Sequence, residues 1–149
     1  MTIMMRFSWT WRLVWLAILL SGPAAAADGV DVGGVDDAVR LTRHAACSGV
    51  VDREPTGAAT TFTATPGKRL YLWCEVSTKV VPTAITHRYY RGERLIQEVP
   101  LAVRDHRWRT WSYHTLVASD PGEWRIEVID EWGNRLAEEH VTVTAPGSP

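Results

Sequence analysis

The chain has 149 residues, of which 46% are hydrophobic and 22% charged, and a formal net charge of −1. Those are ordinary values for one folded domain, and they exclude both a disordered polyelectrolyte and a polytopic membrane protein. So small a net charge leaves no overall field to hold a polyanion, which argues against bulk nucleic-acid binding.

Residues 1–27 have the three parts of an export signal. Arg6 and Arg12 come first, then an apolar run from Leu13 to Leu20, then Ser21-Gly22-Pro23 and a stretch of alanines ending at Ala27, where cleavage is expected. The apolar run is far shorter than the roughly 20 residues that span a bilayer, so no stable membrane span is expected after cleavage. The expected location is periplasmic or secreted. Residues 28–38 combine glycines with Asp28, Asp31, Asp36 and Asp37 and read as a flexible lead-in.

From Val39 onward the apolar residues recur with period two between glycine and proline punctuation, with no sustained helical spacing. A first strand runs near Val39 to Val51 and is stopped by Asp52-Arg53-Glu54-Pro55; a long loop rich in threonine, alanine and glycine follows. Pro66-Gly67 opens a second strand in which Leu70, Leu72, Cys74 and Val76 share a core face. Ala84 to Arg91 forms a third, and Arg91-Gly92-Glu93 turns it into a fourth where Leu95, Val99, Leu101 and Val103 point inward.

The fifth strand, about Arg107 to Val117, is closed by Ser119-Asp120-Pro121-Gly122. Trp124, Ile126 and Val128 alternate inward along a sixth, and Glu131-Trp132-Gly133-Asn134 turns into the last, Leu136 to Thr144. Residues 145–149 read as a disordered tail. About seven antiparallel strands over 39–144 predict an all-β, immunoglobulin-like β-sandwich, since a single sheet must cover its apolar face with another.

Cys47 and Cys74 are the two cysteines. In an oxidising compartment such a pair is expected to form a disulfide, closing a loop of about 27 residues and contributing about 3 kcal/mol. The alternative treats each as a small buried apolar residue. They are too close in the strand order for the bridge of an antibody domain.

The segment Arg107 to Tyr113 has no clean apolar side in either phase. One face would hold Trp108, Thr110, Ser112 and His114, and the other Arg107, Arg109, Trp111 and Tyr113. Arginine flanked by aromatic rings can stack its guanidinium plane and still present donors to a carboxylate or phosphate. Alternatively, one tryptophan anchors the core while the arginines cover its rim with their alkyl stems.

His87-Arg88-Tyr89-Tyr90-Arg91 adds similar chemistry, so the candidate binding residues are Arg88, Tyr90, Arg107, Trp108, Arg109 and Trp111. Arginines dominate from Arg88 to Arg109 and acids from Asp120 to His140, a layout that serves cross-strand pairing or marks a basic patch. The histidines and cysteines lack metal-ligand spacing, and no cofactor motif is present. Ser112, near His114 and Asp105 or Asp120, lacks a nucleophile-elbow sequence, so no catalytic residue is assigned.

Over Val39 to Val143 the chain resembles the bacterial domain-of-unknown-function family 2914. The resemblance rests on Asp52-Arg53-Glu54-Pro55, Thr86-His87-Arg88-Tyr89-Tyr90, Arg107-Trp108-Arg109-Thr110-Trp111-Ser112 and Gly122-Glu123-Trp124-Arg125-Ile126-Glu127-Val128. It implies an extracytoplasmic β domain and brings no established activity. The resulting expectation is a non-enzymatic domain that binds an envelope protein or an anionic glycan. The alternatives are a small hydrolytic or carbohydrate-processing enzyme, or a purely structural part of an envelope assembly.

Overall fold

A computed structural model describes residues 38–147. The expected signal peptide, the lead-in up to residue 37 and the last two residues of the tail lie outside the described residues. The strands are β1 (Val39–Val51), β2 (Glu54–Ala58), β3 (Thr61–Thr63), β4 (Arg69–Thr78) and β5 (Thr83–Arg91), then β6 (Arg94–Val103), β7 (Arg107–Thr115), β8 (Gly122–Asp130) and β9 (Arg135–Thr144). They form two sheets, ordered β2-β1-β4-β7 and β3-β9-β8-β5-β6. The all-β sandwich is as expected; nine strands replace the expected seven.

Both additional strands come from the segment read as a loop. Asp52 and Arg53 each take positive φ, 50° and 64°, and are flanked by the directly paired Val51 and Glu54. That is a two-residue hairpin turn, which normally favours asparagine and glycine, so the sequence gives no sign that the chain folds back there as β2. β3 is three residues long, too short to show alternation, and Phe62 is its buried contribution to the core. It pairs with β9 in parallel, so the second sheet is mixed rather than wholly antiparallel.

The core lies between the sheets. Leu70, Leu72, Cys74 and Val76 line it from β4, Ile85 and Tyr89 from β5, and Trp124, Ile126 and Val128 from β8. One expected inward residue is misplaced: Leu95 is 46% exposed. A register shift between Tyr89 and Tyr90 pairs Tyr89 with Gln97 but Tyr90 with Leu95, leaving Ile96 as the extra residue. This bulge reverses the phase of the strand, so that Ile96 packs on the core and Leu95 turns outward.

The expected disulfide is absent, and both cysteines are free and buried. β1 and β4 are indeed neighbours, but Cys47 lies opposite Tyr71 and Cys74 opposite His44. Residues directly across a ladder share a face, and positions 71 and 74 are an odd number apart on one strand. The two thiols therefore point to opposite faces of one sheet, where no bridge can form.

The core also contains a chain of polar groups. His87 places Nε2 3.5 Å from Cys74 Sγ and Nδ1 2.8 Å from Ser112 Oγ, and the Tyr89 hydroxyl lies 2.8 Å from the same Oγ. Burial pushes His87 down to about 3 and pushes the Cys74 thiol and Tyr89 phenol up. The chain is thus neutral near pH 7, and it joins β4 and β7 of one sheet to β5 of the other. Among the described residues, no buried side-chain nitrogen or oxygen lacks a hydrogen-bond partner.

Candidate functional site

The β4–β7 ladder settles how the two faces of Arg107–Tyr113 are used. Leu72 pairs with Ser112, Cys74 with Thr110 and Val76 with Trp108 on the inward side. On the outward side Trp73 pairs with Trp111, Glu75 with Arg109 and Ser77 with Arg107. Trp108 stands at the margin, partly buried and packed against the core.

Glu75 is the centre of the outward face. Its side chain is nearly covered and is met by three donors. Thr42 Oγ1 donates to Oε1 at 2.8 Å, Arg109 Nε to Oε2 at 2.9 Å, and Arg107 Nη2 to Oε1 at 3.4 Å. Those hydrogen bonds, Thr42 first and Arg109 next, hold the carboxyl down at about 2. Arg109 also reaches Glu54 on β2 at 2.8 Å, whereas the side chain of Arg107 is 77% exposed.

The β1–β2 turn supplies a third arginine. The indole N–H of Trp73 donates to the Arg53 carbonyl at 2.9 Å, and the Arg53 guanidinium stands 5.7 Å from the ring of Trp108. Arg43 lies over Trp73 itself at 4.9 Å. The turn is thereby fastened to the sheet, and Arg53 joins Arg107 and Arg109.

Two adjoining depressions result. The first, about 310 Å³, is lined by Arg53, Glu75, Arg107, Trp108 and Arg109. The second, about 470 Å³, lies between β6 and β7 and shares Arg53, Trp108 and Arg109 while adding Leu101, Arg104 and Trp111 among its walls. The combined basin offers positive charge, two indole surfaces and a strip of aliphatic wall. Among the described residues Arg53 has no carboxylate within ion-pair distance.

Of the residues singled out from sequence, the structure brings together Arg107, Trp108, Arg109 and Trp111. Arg88 and Tyr90 belong to the other sheet. Arg88 Nε donates to Glu98 at 2.5 Å, and the Arg125 guanidinium lies 4.1 Å from the Tyr90 ring. Acids of the last two strands are likewise engaged locally: Arg125 pairs with Glu127, Arg135 with Glu138, and His44 with Glu139 at 2.7 Å. These charges are thus met within a single strand in β8 and β9, between the sheets at His44–Glu139, and across a ladder at Arg88–Glu98.

Sequence reasoning missed Arg53, Glu54 and Glu75. Glu75 carries a visible signal as a lone acid within Leu-Tyr-Leu-Trp-Cys-Glu-Val. Arg53 is disguised as a strand terminator. Ser112, His114 and Asp120 do not assemble as a hydrolytic triad: His114 meets Asp120 at 3.0 Å, but Ser112 bonds His87, and both are buried beyond the reach of a substrate.

The fold defines an immunoglobulin-like β-sandwich. Residues 82–143, which span β5 to β9 almost completely, match the family described as protein of unknown function (DUF2914). An immunoglobulin-like protein from Pseudomonas aeruginosa superposes with a TM-score of 0.51 at 16% identity, covering 74% of this chain and 99% of that one. The alkylpurine DNA glycosylase AlkC of Pseudomonas fluorescens, bound to DNA containing an abasic site analog, gives 0.47 at 10% identity over 72% and 30%. The CARDB domain of a Pyrococcus furiosus protein, in complex with di-metal ions, gives 0.42 at 12% identity over 72% and 93%. No curated protein matches the chain.

Proposed function

We propose that this protein is a non-enzymatic interaction domain of the cell envelope that holds an anionic partner in the basin beside β7. The observation that carries the reading is the convergence of Arg53, Arg107 and Arg109 around Trp108, with Glu75 already engaged by its own donors. Arg107 is largely solvent-exposed, and Arg53 is held by its ring contact rather than by a carboxylate, so both keep donors for a ligand. The leader-like residues 1–27 support an envelope location.

Calorimetric titration of the protein with poly-glutamate and with a polyuronate, at low salt, tests this. Binding of at least one probe is expected, weakened about tenfold or more in Arg107→Ala/Arg109→Ala and unchanged in Arg88→Ala, because the loss of close charges acts locally. No binding of either probe, or equal affinity in the basin variant, would overturn it.

A further inference from the structure

The open edge of β7 specifies what form the anionic partner takes, an inference that rests on the basin reading above. β7 ends its sheet, and among the described residues no strand pairs with its outer side. The direction of its peptide groups follows from three hydrogen bonds. Thr78 N–H donates to the His106 carbonyl at 2.9 Å, and Leu116 N–H donates to Lys68 at 2.8 Å. Even-numbered positions of this strand thus face β4. From the opposite side Gln97 Nε2 donates to the Tyr113 carbonyl at 3.1 Å. In an antiparallel ladder the N–H and C=O of one residue point the same way and alternate along the strand. Arg107, Arg109 and Trp111 therefore turn their peptide groups to the open edge, as Tyr113 does.

That edge is closed at one end only. Gln97 of β6 meets β7 at Tyr113, whereas toward Arg104 and Arg107 the two strands are separated by the about 470 Å³ depression. The first five residues of β7 are left as a template flanked by arginine side chains and by the indoles of Trp108 and Trp111.

We propose that an extended acidic polypeptide segment binds here by pairing with β7 as an added strand. Backbone bonds to Arg107, Arg109 and Trp111 would set its register. Acidic side chains on one of its faces would lie beside Arg107 and Arg109, at cross-strand spacing. A glycan can match the charge but presents no alternating N–H and C=O groups at strand spacing. A second copy of the chain matches the edge but not the charge, since antiparallel self-pairing centred on Arg109 would set arginine against arginine.

The test uses a labelled acetyl-Glu-Val-Glu-Val-Glu-amide and two analogues of equal charge, each N-methylated on one of the alternate sets of residues, together with a polyuronate. The native peptide is expected to bind the protein. One N-methylated analogue should bind about tenfold more weakly or worse, having lost two or more backbone hydrogen bonds, while the other keeps most of the affinity. Because the modification is in the peptide, the fold of the protein is not at issue.

If both analogues bind as well as the parent while Arg107→Ala/Arg109→Ala weakens all three, strand addition is overturned and the charge reading survives. A polyuronate that binds more tightly than the peptide overturns it in favour of a glycan. A dimer of the protein that the peptide dissociates overturns it in favour of self-association. If the peptide fails to bind while poly-glutamate or the polyuronate binds, strand addition fails alone; if none of the three binds, both readings fail.

Discussion

Glu75 stands directly across the β4–β7 ladder from Arg109, and its Oε2 accepts the Nε–H of that arginine at 2.9 Å. This pair fixes one side of the basin and neutralises part of its charge. In Glu75→Gln the amide keeps the shape but not the charge, leaving Arg107 and Arg109 less compensated. Affinity for poly-glutamate should then rise several-fold, read by calorimetry at low salt. An unchanged or lower affinity would mean that Glu75 helps to present the arginines more than it competes for them.

The same carboxyl has a pH signature. Its folded value, about 2, lies below the ordinary value of about 4.3 for a glutamate in an unfolded chain. The stability it contributes is therefore fully present above about pH 4.3 and is lost as pH falls toward 2. Denaturant melts of the wild type and Glu75→Gln should differ by a constant amount above about pH 5 and converge below it. A difference that persists unchanged to pH 2 would contradict the assignment.

His87 acts in a separate window. Its folded value of about 3 lies below the ordinary 6.5, so the unfolded chain takes up a proton that the folded one refuses. Stability from this neutral imidazole is complete above about pH 6.5 and declines as pH falls toward 3, at up to about 1.4 kcal/mol per pH unit. In His87→Asn the slope between about pH 6.5 and 5 should be shallower by roughly one proton. Equal slopes would show that His87 is protonated in the folded state.

Trp73 is a positioning residue for Arg53, since its indole N–H donates to the Arg53 carbonyl. Trp73→Phe should cost about 1 kcal/mol of stability for the lost hydrogen bond, and more for the buried ring volume it removes. It should also weaken binding of poly-glutamate, though less than Arg53→Ala. Arg53→Gly relieves a positive φ of 64°, so it should weaken binding with no loss of stability. A strongly destabilised Arg53→Gly would mean that the stack on Trp108 holds the turn together.

The offset of the cysteines gives a direct chemical expectation. Unfolded without reductant, the protein should yield two thiols per chain, and the folded protein should react slowly with a thiol reagent because both are buried. A protein that releases thiols only after reduction would contradict the β1–β4 register.

The sequence was most legible where period two ran uninterrupted. Leu70, Leu72, Cys74 and Val76 announce their common face, and Trp124, Ile126 and Val128 do the same. It failed where one residue changes the phase or reverses the chain: the bulge at Ile96 turned Leu95 outward, and Asp52-Arg53 made a hairpin without glycine. Alternation also shows that Arg88 and Tyr90 share a face without showing on which sheet. For that reason half of the candidate site could be read from Arg107 to Trp111, while Arg53 and Glu75 emerged only from the ladder.

Whether the β7 basin holds an anionic partner is read from a residue-by-residue map of amide chemical shifts in the labelled protein as poly-glutamate is added. Shifts are expected to concentrate at Arg53, Glu75 and Arg107 to Trp111, with Arg88 and Tyr90 on the other sheet unmoved. Shifts centred on Arg88 and Tyr90, or spread evenly over both sheets, would contradict it.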